Sequence, residues 1–88
     1  MSFKITAKDG FARTGVLEVA HGPVETPFFM PVASKGTVKA LQGVDLEALG
    51  YQSVICNGFI LSLSPGINIV KKHGGIHEFM HFKKNIFT

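Results

Sequence analysis

The 88-residue sequence has no tryptophan, one tyrosine and one cysteine, Cys56. A single cysteine excludes a disulfide framework and leaves too few thiols for a cysteine-based zinc site. Charged residues are scarce, at 17% against 45% hydrophobic. That balance excludes disorder as the dominant state, because there is much apolar surface to bury and little charge to oppose collapse. No apolar run approaches the roughly 20 residues of a membrane helix. Met1-Ser2-Phe3-Lys4-Ile5 opens no signal-peptide core. These absences predict a cytoplasmic chain in a reducing compartment, with no membrane contact. Phosphate-binding fingerprints are missing too: Gly36, Gly43 and Gly50 form no Gly-x-Gly-x-x-Gly, and there is no P-loop.

What is present is an apolar surplus on a short chain. A chain of this size buries only about 60% of its unfolded surface, so it folds alone only with an efficient core. The net charge of +3 is unevenly spread. Residues 1–66 balance, whereas Lys71, Lys72, Lys83 and Lys84 face only Glu78 in the remainder. Such a cluster can contact phosphates, but the simpler reading is a solvated helix face.

Alternating Phe3, Ile5 and Ala7 predict a strand, Asp9-Gly10 a turn, and Thr14 to Ala20 a second strand. His21-Gly22-Pro23 is a further turn, which gives a small antiparallel sheet. Thr26 to Val32 is almost continuously apolar and reads as a strand buried on both faces, with Pro27 and Pro31 near its ends. Thr37 to Leu49 predicts one or two short helices, with Asp45 near an N-cap and Gly50 as the stop. Gln52 to Asn57 is a second buried strand. Ser64 suits the N-cap of a helix that Gly74-Gly75 ends, Ile76 to Phe82 is another short helix, and Asn85 to Thr88 begins a third strand. Alternating strands and helices imply a parallel sheet with right-handed crossovers. Two or three such units do not close a barrel and leave strand faces uncovered, so the chain is expected to be part of a larger α/β protein.

Few residues point to chemistry. His73, His77 and His81 recur every four positions, but Gly74-Gly75 breaks the face that would align them as metal ligands. Cys56 lies within an apolar strand, where a free thiol acts as a small hydrophobe. Asn57 is the better candidate. It ends a predicted parallel strand, the end that carries binding in α/β barrels, and its amide can donate and accept to a ribose or a base edge. A plain Asn57-Gly58 turn is the alternative. Val32 and the loop 33–36 lie at the matching end of the preceding strand and could line the same mouth.

Several stretches together carry a resemblance: Gly22 to Val32 (Gly-Pro-Val-Glu-Thr-Pro-Phe-Phe-Met-Pro-Val), Gly36 to Leu41 (Gly-Thr-Val-Lys-Ala-Leu), Ser64-Pro65-Gly66, and Gly74 to Met80 (Gly-Gly-Ile-His-Glu-Phe-Met). From about Phe11 to Thr88 the chain resembles the N-terminal part of tRNA-guanine transglycosylases, the queuine tRNA-ribosyltransferases. The resemblance implies an α/β fold, the incomplete N-terminal part of a (β/α)8 TIM-like barrel preceded by a small antiparallel β-sheet. Residues 1–25 would be the antiparallel strands and 26–88 the first βα units. It implies base exchange: a guanine in tRNA is replaced by a 7-deazaguanine, through an aspartate that attacks the ribose and a second that moves the proton. It places Val32, Ile55 and Asn57 around the target ribose, and Lys39 and Phe79 at the dimer interface of bacterial-type enzymes. Its partners would be tRNA, the 7-deazaguanine base and a second subunit. A structural zinc is implied for the full-length family, with ligands outside these residues. In the family an Asp-Ser-Gly-Gly-Phe-Gln stretch follows the position of Thr88, so the catalytic aspartates are expected beyond this chain. Where the family reads Gly-Asn-Thr-Tyr-His-Leu, this chain has Cys56-Asn57-Gly58-Phe59-Ile60-Leu61, and His81-Phe82-Lys83 replaces Gly-Trp-Asp. The competing expectation is a short non-catalytic homologue or remnant that binds RNA or a barrel partner subunit.

Overall fold

The computed structural model describes residues 1–88. The alternating N-terminal segment forms β1, Ser2–Asp9, and the next forms β2, Ala12–Val19, paired antiparallel through the turn at Asp9-Gly10. A register shift between Ile5 and Ala7 interrupts the ladder. The sheet has one strand more than the sequence predicts. After His21 the chain returns at once as β3, Gly22–Thr26, giving the order β1-β2-β3. Pro23 sits on an edge strand, where a missing N–H is tolerated.

The buried strand expected over Thr26 to Val32 does not form. Thr26 closes β3, and only Val32 makes a bridge, parallel to Ile55. There the Ala33 N–H donates to the Ile55 carbonyl at 2.7 Å, and the Ile55 N–H to the Pro31 carbonyl at 3.0 Å. Pro27 and Pro31 have no N–H, so this stretch cannot sustain a ladder. The expected second strand forms as β4, Ser53–Ile55, and the third as β5, Asn85–Phe87, paired parallel in the register Ser53↔Asn85 to Ile55↔Phe87. Val32, β4 and β5 thus run parallel side by side, with helices in the connections.

The helical stretch predicted from Thr37 shrinks to α1, Gly43–Ala48. The Thr37 hydroxyl donates to the Leu41 carbonyl at 3.0 Å, and Ala40 takes a left-handed φ of 67°. Competition from a side-chain hydroxyl of this kind favours turns over helix. Gln42, not Asp45, is the N-cap; Asp45 is three residues on, and its Oδ2 accepts the Gln42 N–H at 2.8 Å, half of a capping box. At the other end the Gly50 N–H donates to Glu47 and the Tyr51 N–H to Leu46, so Gly50 is the stop in a Schellman motif.

Asn57-Gly58 is not a simple turn. It opens α2, Gly58–Leu61, and a wide turn over Ser62–Gly66, kinked at Ser64, leads into α3, Ile67–Lys72. The predicted cap Ser64 lies inside that turn, and Gly66 is the residue before α3. After Gly74-Gly75 comes α4, Ile76–Met80, ended by His81 in a left-handed conformation. No helix is long and apolar enough to cross a membrane.

The core is one cluster: Ala33, Leu46, Val54, Cys56, Met80 and Phe82. Cys56 serves as the small hydrophobe its neighbours require. Only 14 of 88 residues are buried, and the accessible surface is 6278 Å², where a self-sufficient protein of this mass exposes about 5,000 Å². Phe29, Phe59, Leu63 and Ile67 are among the large apolar side chains left in water. The isolated 88-residue chain is therefore expected to unfold over a broad, weakly cooperative range; a sharp two-state calorimetric transition would contradict this.

Candidate functional site

The parallel strands end together. In β4 the side chains alternate, so Val54 and Cys56 enter the core, 0% and 3% exposed, while Ile55 and Asn57 face the other way. On that side lies a cleft of about 620 Å³ lined by Val32, Ser34, Ile55, Asn57, Phe59 and Thr88, among others. The structure thus brings Val32, Ile55 and Asn57 to one mouth. Val32 is 61% exposed and Phe59 72%, so the wall offers flat apolar area wide enough for a sugar or a base face.

Asn57 is the one side-chain amide in this lining. Its Oδ1 accepts the Ile60 N–H at 3.1 Å and caps α2. The cap identifies the oxygen, since a backbone N–H needs an acceptor. The Nδ2 group has no recorded protein partner and is presented by an exposed residue. The sequence reading of an amide that both donates and accepts is therefore narrowed: half of it holds the helix, and a donor remains for a ligand oxygen. Cys56 also borders the cleft, but burial pushes its thiol pKa up, which disfavours the nucleophilic thiolate. No Asp, Glu, His or Lys lines this mouth. It can bind and orient, but it has no carboxylate or imidazole to move a proton.

Sequence reasoning placed Ser34, in the loop 33–36, at this mouth, but missed Phe59 and Thr88 as lining. An aromatic two residues past a strand end was the available signal for Phe59. Thr88 depends on the strand register.

The remaining candidates lie elsewhere. Phe79 on α4 is half-buried, meets His73 edge-on with ring centroids 5.5 Å apart, and lies against Gly36. A Cβ on Gly36 would come within 2.5 Å of the Phe79 ring. Phe79 thus adjoins the exposed loop that carries Lys39, three residues beyond Gly36. The three histidines share no ligand point. His73 Nδ1 bonds the Ile69 carbonyl, His77 Nε2 the Lys84 carbonyl, and His81 ends α4. No group of three or more His, Cys, Asp or Glu side chains converges anywhere. Lys71 and Lys84 line different clefts, and Lys71, Lys72 and Lys83 are exposed, which fits a solvated surface.

Comparison with known proteins gives the same direction throughout. The family profile described as queuine tRNA-ribosyltransferase matches residues 8–88. Proteins named queuine tRNA-ribosyltransferase are similar to this chain at 49% identity in Oleidesulfovibrio alaskensis (98% of this chain, 23% of that protein), and at 48% in both Thermotoga neapolitana and Pseudomonas putida (100% of this chain, 24% of each protein). The chain therefore spans about a quarter of the length of the curated relatives it matches. On the strength of a match that covers nearly every residue, this chain belongs to the queuine tRNA-ribosyltransferase family.

Proposed function

We propose that this chain is the N-terminal portion of the catalytic barrel of a tRNA-guanine transglycosylase, which replaces a guanine in tRNA with a 7-deazaguanine base. The observation that carries the reading is the family match over residues 8–88. Three parallel strand positions with helices in the connections support it, as the opening of a (β/α)8 barrel whose strand ends bind substrate. In this reading Val32 and Ile55 pack against the target ribose and the free Asn57 amide donates to one of its oxygens. The nucleotide is extruded from its stack to reach such a mouth. An aspartate displaces guanine at C1′ and is itself displaced by the incoming base, so that one difficult exchange becomes two displacements.

These residues supply binding, not the displacement. Asp9 lies at the β1–β2 turn and Asp45 accepts the Gln42 N–H in the first turn of α1, so neither reaches the cleft. Both reacting aspartates would come from residues outside this chain, and the chain by itself would be inactive. The structural zinc of the family would be held by ligands outside these residues. Lys39 and Phe79, exposed and half-buried on neighbouring surfaces, would contribute to a homodimer contact. In this reading the reaction would take place in the cytoplasm.

The test is incorporation of labelled guanine into unmodified tRNA by the protein as isolated from its source. Exchange is expected, and its absence would overturn the reading in favour of a non-catalytic homologue. Asn57→Asp keeps the acceptor that caps α2 but removes the donor. It should lower kcat/KM about tenfold or more, the equivalent of one lost hydrogen bond, with thermal stability unchanged.

A further inference from the structure

The N-terminal sheet and the parallel unit meet at two imidazoles. His21, in the β2–β3 turn, stacks on His77 of α4 with ring centroids 4.0 Å apart and planes 17° from parallel. His77 Nε2 is 3.0 Å from the Lys84 carbonyl, so that nitrogen carries the proton and Nδ1 is bare in the neutral ring. The backbone N–H of His21 donates to Asn85 Oδ1 at 3.1 Å, which fixes the turn beside the stack. A flat stack of this kind suits neutral rings; two imidazolium ions at the same spacing repel.

We propose that His21 and His77 form a pH-sensitive clasp between the N-terminal antiparallel sheet and the parallel unit, closed when His77 is neutral and loosened when it is protonated. The surrounding charges do not neutralise the pair. Lys84 and Glu25 line one cleft with His21, Glu18 and the Met1 terminus line another, and Glu78 follows His77 on α4. None of these carboxylates makes a recorded hydrogen bond to either ring. The His77 pKa is lowered, first by burial and then by His21, against smaller raising effects of the Lys84 carbonyl and Glu78. The sign follows from linkage. Above the unfolded imidazole value, about 6.5, both states are neutral and the clasp is intact. As pH falls below that value, the open state takes up the proton more readily, so closure weakens until the lowered folded pKa is passed.

The experiment is a pH titration of the histidine Cε1 protons, with amide exchange at His21, in the protein as isolated from its source. The His77 midpoint is expected below that of a free imidazole, and His21→Gln should raise it. Protection of the His21 amide, corrected for intrinsic exchange, should fall between pH 7.5 and pH 5. His77→Gln should abolish that fall, and it reads the coupling even if His21→Gln fails to fold. A His77 midpoint unmoved by His21→Gln, or equal His21 protection at both pH values, would overturn the clasp. Neither readout depends on base-exchange activity, so the clasp and the enzymatic reading fail separately.

Discussion

Asn85→Ala is expected to destabilise the protein by about 2–4 kcal/mol, from two groups that lose their partner at about 1–3 kcal/mol each. The residue is 4% exposed. Its Oδ1 accepts the His21 N–H at 3.1 Å, while its Nδ2 donates to the Gly22 carbonyl at 3.1 Å and to the Gln52 carbonyl at 3.3 Å. One side chain thus joins the β2–β3 turn, the entry to β4 and β5. Alanine would take the acceptor from the His21 N–H and this donor from the Gly22 carbonyl, while the Gln52 carbonyl keeps the Asn85 backbone N–H at 3.1 Å, and the N-terminal sheet would lose its fixed seat on the parallel unit. Asn85→Asp restores the acceptor for His21 but not the donors, so an intermediate loss is expected. Denaturant midpoints of the three proteins, read with the slope held constant, check the order. An alanine variant within about 0.5 kcal/mol of the parent, the range of ordinary surface changes, would show that the network carries no net stability.

Gly43→Ala is the second large effect, and its sign is the opposite of what local propensity says. In a solvent-exposed helix interior, alanine in place of glycine stabilises by about 1 kcal/mol. Gly43 is the first residue of α1 and is buried. A Cβ there would collide with the backbone carbonyl oxygens of Met80 and His81. Neither oxygen can swing aside as a side chain would, so α1 must move off the end of α4. That shift opens the contact among Leu46, Met80 and Phe82, three members of the single core cluster. A loss of about 3 kcal/mol is expected, at the upper end of ordinary overpacking. Gly50→Ala, at a positive φ with open space around it, should instead lose only about 1 kcal/mol. Equal losses at the two glycines would rule out the close approach as the cause.

Much of the architecture was already legible from residue pattern. Period-two alternation marked β1, glycine marked the ends of α1 and α3, and the apolar run Val54-Ile55-Cys56 marked β4, because each of these signals acts within a few residues. The errors share a cause as well. Thr26 to Val32 looked like a buried strand because its residues are apolar, yet the two prolines lack the donors that a ladder needs, and a single bridge at Val32 is what remains. Thr37 to Leu41 has helical spacing, but the Thr37 hydroxyl takes the Leu41 carbonyl. Ser64 has the chemistry of a cap but lies within a kinked turn.

From the order of residues alone came the family likeness, the positions of β1, β2, β4 and β5, the surplus of apolar surface and the candidacy of Asn57, all set by short-range chemistry. Tertiary structure alone decided that Phe59 and Thr88 join Val32, Ile55 and Asn57 at one mouth, that Asn85 joins three segments and that His21 lies on His77. Those facts join residues up to 64 positions apart, and no short-range pattern encodes contacts across such a separation.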